Sequence, residues 1–295
     1  MTFKNLLANL GERALILDGG MGTQLVARGI EPGAASNLAH PDAVLAVQRA
    51  YREAGADVIL TNTFGANPPA LERSGETDQL ERIVAAACRI GREALGSGGY
   101  LAGDIGPTGE FLEPAGNLTE PQMFEAYLRA VLALADGGVD LFVIETMSDG
   151  QELEIAVRAC RSIAPKLTVI AGMSFDPVRD GFRTNTGLTA ADAAKTMAEA
   201  GADAIGANCG SVSPEQVARI VAIFRQNCDK PIMAEPNAGL PEMKGDRAVY
   251  RLGPEAFADA GLQIYRNGAR LIGGCCGTSP EHIRCLRQAL GRPRV

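Results

Sequence analysis

The stretch "EAGADVIL" (53–60) returns three times in altered form, as "DGGVDLFVI" (136–144), "EAGADAIG" (199–206) and "RNGARLIGG" (266–274). In each copy a stretch with helical spacing runs into a glycine, and an apolar run opens two residues later. Glycine just beyond a helix takes up the left-handed conformation that closes the helix end. A short, uninterrupted apolar run fits a strand buried on both faces. Gly55, Gly138, Gly201 and Gly268 are therefore predicted to form four equivalent helix-to-strand corners.

Four more apolar runs lie between these copies: "ALILDG" (14–19), "YLAGDIG" (100–106), "LTVIAGMSF" (167–175) and "PIMAEPN" (231–237). Helical spacing follows each strand candidate. It covers 41–54, with Val44, Val47, Tyr51 and Ala54 on one face, and 121–136, with Phe124, Tyr127, Leu128, Val131 and Ala135 on one face. Further helices are expected at about 78–95, 149–163, 189–200, 213–227, 254–266 and 280–290. Eight alternations of strand and helix in one chain of 295 residues predict an α/β protein, a (β/α)8 barrel in a single domain spanning 1–295. An open, doubly wound sheet is the alternative, and the four-fold echo favours closure because it marks every second strand. Loops at 64–77, 106–120 and 238–253 are expected to decorate one face.

Composition narrows the function. The net charge is −7, with 28 basic residues scattered among 35 acidic ones, which argues against nucleic acid or an anionic membrane as partner. No apolar run approaches the ~18 residues of a membrane-spanning helix, and the first twenty residues lack a signal-peptide pattern. Seven cysteines, an odd number, fit metal binding or burial better than a disulfide framework. A reducing cytoplasm is the expected compartment.

Barrel chemistry sits at the C-terminal ends of the strands. Those positions hold Asp18, Asn62 with Thr63, Asp104, Glu145, Ser174, Asn208 with Cys209, Glu235 with Asn237, and Cys275 with Cys276. A single polar residue there is ordinarily a turn or a helix cap; eight such ends in register call for more. Cys209 ends the sixth strand candidate and the Cys275–Cys276 pair the eighth, so three thiols can converge. The pair can share an ion only if the backbone leaves strand geometry, and Gly273, Gly274 and Gly277 permit that. Cys88, Cys160, Cys228 and Cys285 fall in helical patterns and read as buried small hydrophobes.

Zinc suits an all-thiolate set, and three protein ligands leave a fourth position open; unrelated cysteines are the competing reading. Such a centre is a poor generator of hydroxide, yet a coordinating thiol is still ionised. It fits alkylation of a thiol better than hydrolysis. His40 and His282, the two histidines, read as surface or cap residues beside helix starts.

With these residues in view, the chain resembles the homocysteine S-methyltransferase family. The matching blocks are "ILDGGMGTQL" (16–25), "TNTFGAN" (61–67), "GDIGPTGE" (103–110), "IETMSD" (144–149), "GANCG" (206–210), "PNAGLP" (236–241) and "GGCCGTSPEHI" (273–283). Their wording is closest to the homocysteine-binding module of cobalamin-dependent methionine synthases. The resemblance implies zinc on Cys209, Cys275 and Cys276, homocysteine sulfur in the open position, and a methyltransferase yielding methionine. It also implies Glu145 on the substrate ammonium and Asp18 beside homocysteine and the incoming methyl. Backbone N–H groups of Gly19 and Gly20 are expected to face a carboxylate. Asn208, Thr63, Phe64 and Ser174 complete the candidate substrate residues.

The donor is open between S-methylmethionine, S-adenosylmethionine and a methyl-corrinoid carried by a separate protein, since neither histidine has the D-x-H-x-x-G surroundings of a cobalamin module. Betaine needs an aromatic enclosure for its quaternary ammonium, and the chain has no Trp and 5% aromatics. A betaine-dependent enzyme, a zinc lyase or hydrolase on the same barrel, and a non-catalytic zinc subunit that docks a corrinoid protein are the alternatives.

Overall fold

A computed structural model of the chain describes residues 2–245 and 247–291. All eight apolar runs form strands: β1 (Leu15–Ile16), β2 (Val58–Leu60), β3 (Tyr100–Ile105), β4 (Leu141–Met147), β5 (Thr168–Met173), β6 (Ala204–Asn208), β7 (Ile232–Glu235) and β8 (Ala269–Ile272). Helices follow them in turn: α1 (Pro41–Ala54), α2 (Leu80–Leu95), α3 (Glu120–Asp136), α4 (Gly150–Ile163), α5 (Ala190–Glu199), α6 (Pro214–Asn227), α7 (Pro254–Arg266) and α8 (Pro280–Ala289). The strands pair in parallel in chain order, and β8 returns to β1. A parallel bridge from Leu17 to Val58 joins β1 to β2 and closes the ring. The fold is the (β/α)8 barrel.

The four corners explain the echo. Gly55, Gly138, Gly201 and Gly268 have φ of +117°, +75°, +95° and +113°, conformations that cost other residues dearly. Three corners also carry an aspartate two residues on. Asp57 accepts the backbone N–H of Ile16, Asp140 that of Leu101, and Asp203 that of Val169. Each carboxylate thereby ties the foot of an even strand to the odd strand before it. Each is also paired with a helix arginine: Arg287 on Asp57, Arg92 on Asp140, Arg161 on Asp203. The fourth corner has Arg270 in place of the acid, and its guanidinium turns to Glu12.

Inside the barrel, Leu15, Leu17, Val58, Ala102, Leu141, Val143, Ile170, Ala204, Met233 and Leu271 form one buried cluster. A short helix, Phe3–Ala8, plugs its N-terminal end with Phe3, Leu6 and Leu7. A larger shell of apolar side chains packs the helices onto the outer strand faces.

Two readings are corrected. The buried face of α3 is Met123, Ala126, Tyr127, Ala130, Val131 and Leu134, whereas Phe124, Leu128 and Ala135 are partly buried. Phe124 lies at the edge because the Arg158 guanidinium stacks on its ring, 4.9 Å from the centroid. Among the other cysteines, Cys88 and Cys160 are buried in helices as expected, but Cys228 lies just past α6 and, like Cys285, is partly exposed. Cys285 Sγ sits 3.9 Å from a Glu281 carboxylate oxygen one turn back.

The long loops all follow strand C-termini. That after β7 contains a hairpin, Glu242–Lys244 with Arg247–Val249, and a second hairpin, Asp176–Val178 with Gly181–Arg183, follows β5. Among the described residues no helix is long and apolar enough to cross a membrane.

Candidate active site and metal centre

The strand ends open onto a cavity of about 470 Å³. Asp18, Gly19 and Gly20 line it beside Asp104, Glu145, Glu235 and the three cysteines; Met21, Pro32, Ala34, Leu60 and Phe64 form an apolar wall.

Cys209, Cys275 and Cys276 bring their sulfurs within 4.8 Å of one another, and Cys209 Sγ lies 3.9 Å from Cys276 Sγ. Tetrahedral zinc with Zn–S bonds of about 2.3 Å separates its sulfurs by roughly 3.8 Å. The donor set therefore fits such an ion in both type and spacing, and the trio can hold a metal. Among the described residues it is the one group of three or more metal-ligating side chains this close.

The backbone explains how adjacent cysteines manage this. β8 ends at Ile272, two glycines short of the pair. The turn after β7 then grips both residues: Cys275 N–H donates to Pro236 O, and Ala238 N–H donates to Cys276 O. Gly277 follows at φ +79° with its α-carbon against the Tyr250 ring. Cys209 itself stands at φ +54°, which swings its thiol off the strand axis into the mouth. Thr278 locks the first and last strand ends together. Its Oγ1 donates to Cys275 O and accepts the Gly20 N–H, while Tyr51 donates to its carbonyl. A Cβ on Gly20 would lie 2.6 Å from Cys275 O, so the loops interlock only with glycine there.

The thiols share protons. Hydrogen bonds from Cys209 and then Cys275 push the Cys276 thiol down to about 3, while hydrogen bonds with Cys209 and then Cys276 push Cys275 well up. The three thiols thus titrate as a group, with negative charge favoured on Cys276.

The carboxylates are displaced the other way. Burial raises Glu145 to about 7, and burial followed by the charge of Glu145 holds Asp104 well above the carboxylate range. Asp18 and Glu235 are raised chiefly by burial too. Asp18 keeps one oxygen on the Leu60 N–H at 3.0 Å. The folded protein therefore holds a proton on Glu145 between pH 4.5, the ordinary glutamate value, and about 7, where the unfolded chain has released it. Stability is full below that window and falls as pH rises through it, by an amount on the order of 3 kcal/mol. Urea titration of the metal-free protein across this window is expected to show the fall, and Glu145→Gln to lessen it while Asp18, Asp104 and Glu235 carry the remainder; a stability that rises with pH there would contradict the assignment.

Several candidate residues stand behind the cavity wall. Asn208 holds Glu145 and Thr146: its Nδ2 donates to Glu145 Oε2 at 2.6 Å and to Thr146 Oγ1 at 2.7 Å, and its Oδ1 accepts Thr146 N–H at 2.8 Å. Those contacts fix Thr146 at φ +60°. Thr63 Oγ1 donates to Asp104 O at 2.7 Å and so pins the acid's backbone. Ser174, whose N–H donates to Met147 O, does not line the cavity. Gly20 does line it, but its N–H is spent on Thr278, a correction to the expected carboxylate contact. His282 caps α8 as expected, though buried: its ring bonds Ser279 and Leu252 O and meets Phe257 edge-on. The exposed His40 starts α1. Met21, Pro32, Ala34 and Thr146 were invisible as site residues in the sequence, because nothing local marks a loop residue that forms a wall.

Fold and strand-end geometry together define a (β/α)8 barrel with a thiol-rich centre at its catalytic face. The chain belongs to the homocysteine S-methyltransferase family, whose model matches residues 15–290. It is 35% identical over 97% of its length to methionine synthase of Mycobacterium tuberculosis (strain H37Rv), and 32% identical over 98% to that of Mycobacterium leprae. The chain spans about a quarter (25%) of the length of these curated relatives. The metallated form of the homocysteine methyltransferase MmuM from Escherichia coli superposes with a TM-score of 0.77 at 25% identity, covering 96% of this chain and 99% of that one.

Proposed function

We propose that the chain, acting as one homocysteine-binding barrel domain over residues 1–295, is a zinc-dependent methyltransferase that converts the thiol of L-homocysteine into the thioether of methionine. The convergence of Cys209, Cys275 and Cys276 at a sulfur separation of 3.9 Å carries the reading, and the family membership and the metallated form of MmuM support it. Zinc on three thiolates supplies a weakly acidic centre that ionises a thiol entering its fourth position without activating water.

The protein's own residues do the rest. Glu145, held by Asn208, receives the substrate ammonium: an arriving cation favours the ionised acid, so the proton that burial keeps on Glu145 leaves and the pair forms as carboxylate and ammonium. Asp18 and the Gly19–Gly20 turn face the same cavity from β1. Met21, Pro32, Ala34 and Phe64 give the cavity an apolar wall against which a methyl group can sit. In the transfer the thiol gives up its proton, its sulfur forms the new S–C bond, and the donor atom leaves with the bonding pair.

The donor is S-methylmethionine or a methyl-corrinoid on a separate protein. Of the aromatic residues that could cage betaine, Phe64 lines the cavity and Tyr250 packs on Gly277 beside the cysteines, whereas Phe175 and Phe182 are buried and Phe111 is exposed. One phenylalanine and one tyrosine, without a tryptophan, make a poor enclosure for a quaternary ammonium. A net charge of −7 leaves nucleic acid and anionic membranes outside the expected partners.

Zinc-loaded protein given homocysteine with S-methylmethionine, S-adenosylmethionine, methylcobalamin or betaine in parallel should form methionine from a sulfonium or corrinoid donor, at least about tenfold faster than from betaine. Equal turnover with betaine would overturn the donor assignment, and absence of methionine from every donor would overturn the reaction.

A further inference from the structure

One part of the cavity wall has no secondary structure of its own to hold it. Residues 27–35 belong to no helix or strand, yet Pro32, Gly33 and Ala34 line the cavity. Ordering such a segment costs conformational entropy, which its contacts must offset. Two buried asparagines supply them. Asn62, just past β2, donates from Nδ2 to Gly33 O at 3.0 Å and to Asn37 Oδ1 at 3.4 Å. Asn37 answers from its own Nδ2, to Ala34 O at 2.7 Å and to Asn62 O at 2.8 Å. The pair links the segment after β1 to the end of β2 in both directions.

The neighbours of Asn62 face the other way. Thr61 Oγ1 accepts the Asp104 N–H and Thr63 Oγ1 donates to Asp104 O, so both threonines serve β3. Alternation of side chains along an extended chain lets one short stretch do both jobs. Both hydrogens of each asparagine amide are committed within the clamp, so neither amide nitrogen is left for a substrate. The cavity of about 470 Å³ suits a drug-sized ligand and is more than homocysteine fills. The remaining space, bordered by the apolar wall, is where the second substrate of a methyl transfer has to sit.

We propose that Asn37 and Asn62 are positioning residues for the methyl donor: their paired amides clamp 30–35 to β2 and so hold Pro32 and Ala34 as a fixed side of the donor's binding place. The inference rests on the reading of the chain as a methyltransferase acting on homocysteine. A wall already in place needs no ordering when the donor arrives, whereas a loosened one adds its ordering entropy to the cost of binding. That loss falls on ground state and transition state alike, so it raises the donor KM and spares kcat. The metal and the acceptor, held by other strand ends, keep their contacts.

The test compares Asn37→Ser and Asn62→Ser with the wild-type protein, with zinc content and thermal midpoint measured in every sample. Hydrogen exchange of the metal-free proteins should quicken about tenfold or more at 30–36 in each variant and stay unchanged in the barrel strands. Initial rates of the zinc-loaded proteins are then taken at saturating homocysteine, with S-methylmethionine or methylcobalamin varied. The KM of the donor that the wild type uses should rise about tenfold, with kcat kept within about threefold. Homocysteine affinity, read by calorimetry, should not move. Unchanged exchange at 30–36 in both variants overturns the clamp. A loosened segment with an unchanged donor KM, or with homocysteine affinity falling in step, overturns the role in donor binding. Asn62→Ser carries the test if Asn37→Ser does not fold, since Asn62 is the less buried of the two. A wild-type protein that forms no methionine from either donor overturns the proposed reaction instead, and the donor role with it, while the exchange result still judges the clamp.

Discussion

Zinc content is expected to drop from one ion per chain to less than about a tenth of that when Cys209 is replaced by serine and the protein is dialysed against a mild chelator. Methyl transfer should fall at least about a thousandfold with it. The ion's hold comes from a small number of thiolates, and structural zinc sites draw roughly 10–16 kcal/mol from four ligands. Removing one of three protein ligands therefore forfeits several kcal/mol, enough for a chelator to compete. The substitution is expected to spare the fold. Cys209 is only half-buried and its backbone is fixed by the N–H donated to Glu235 O, a bond serine keeps. Metal analysis and the thermal midpoint of the metal-free variant separate the two effects. Full zinc occupancy in Cys209→Ser would remove this residue from the centre. Cys275→Ser and Cys276→Ser should lose metal in the same way, since all three sulfurs lie within one ion's reach.

The second large effect is on stability and lies at the opposite end of the barrel. Arg287→Met should destabilise the protein by about 3–5 kcal/mol, measured by urea unfolding at neutral pH. Asp57 is fully buried, and its partner Arg287 reaches it from α8, donating to Gly55 O on the way. Deleting the arginine leaves a charged carboxylate in a dry place. Losing both members together is milder, so the double variant Asp57→Asn with Arg287→Met is expected to recover part of the loss. The equivalent pairs Arg92–Asp140 and Arg161–Asp203 are more exposed. Arginine removal there should cost less, and an equal cost at all three corners would show that burial is not what sets it.

Those corners are also why the fold was so legible. The glycine answers a local demand for positive φ, and local demands leave a mark in sequence, whereas the aspartate two residues later serves the strand before it and was not read. The cysteines were legible for a similar reason, because adjacent thiols between glycines have few structural excuses. The helix Phe3–Ala8 was not read as the plug of the barrel, since nothing in its six residues says which apolar surface it meets. The face of α3 was read a fraction of a turn off, because Phe124 is apolar yet finds its partner in a guanidinium at the rim. Thr63 and Asn208 were noticed for their polarity at strand ends. Their actual partners, Asp104 and Glu145, depend on three-dimensional neighbours that spacing does not reveal.

The lock made by Thr278 has a consequence for how the protein comes into being. Gly20 and Thr278 are 258 residues apart, and Cys276 is 67 residues from Cys209. Chain order therefore puts the glycine turn and Cys209 well ahead of Cys275 and Cys276, the two cysteines whose sulfurs lie within 4.8 Å of it in the fold. Until β8 and the turn beyond it have been synthesised, there is no centre to charge with metal. On the proposed reading of the three thiols as a metal centre, the complete donor set exists only once the ring has closed.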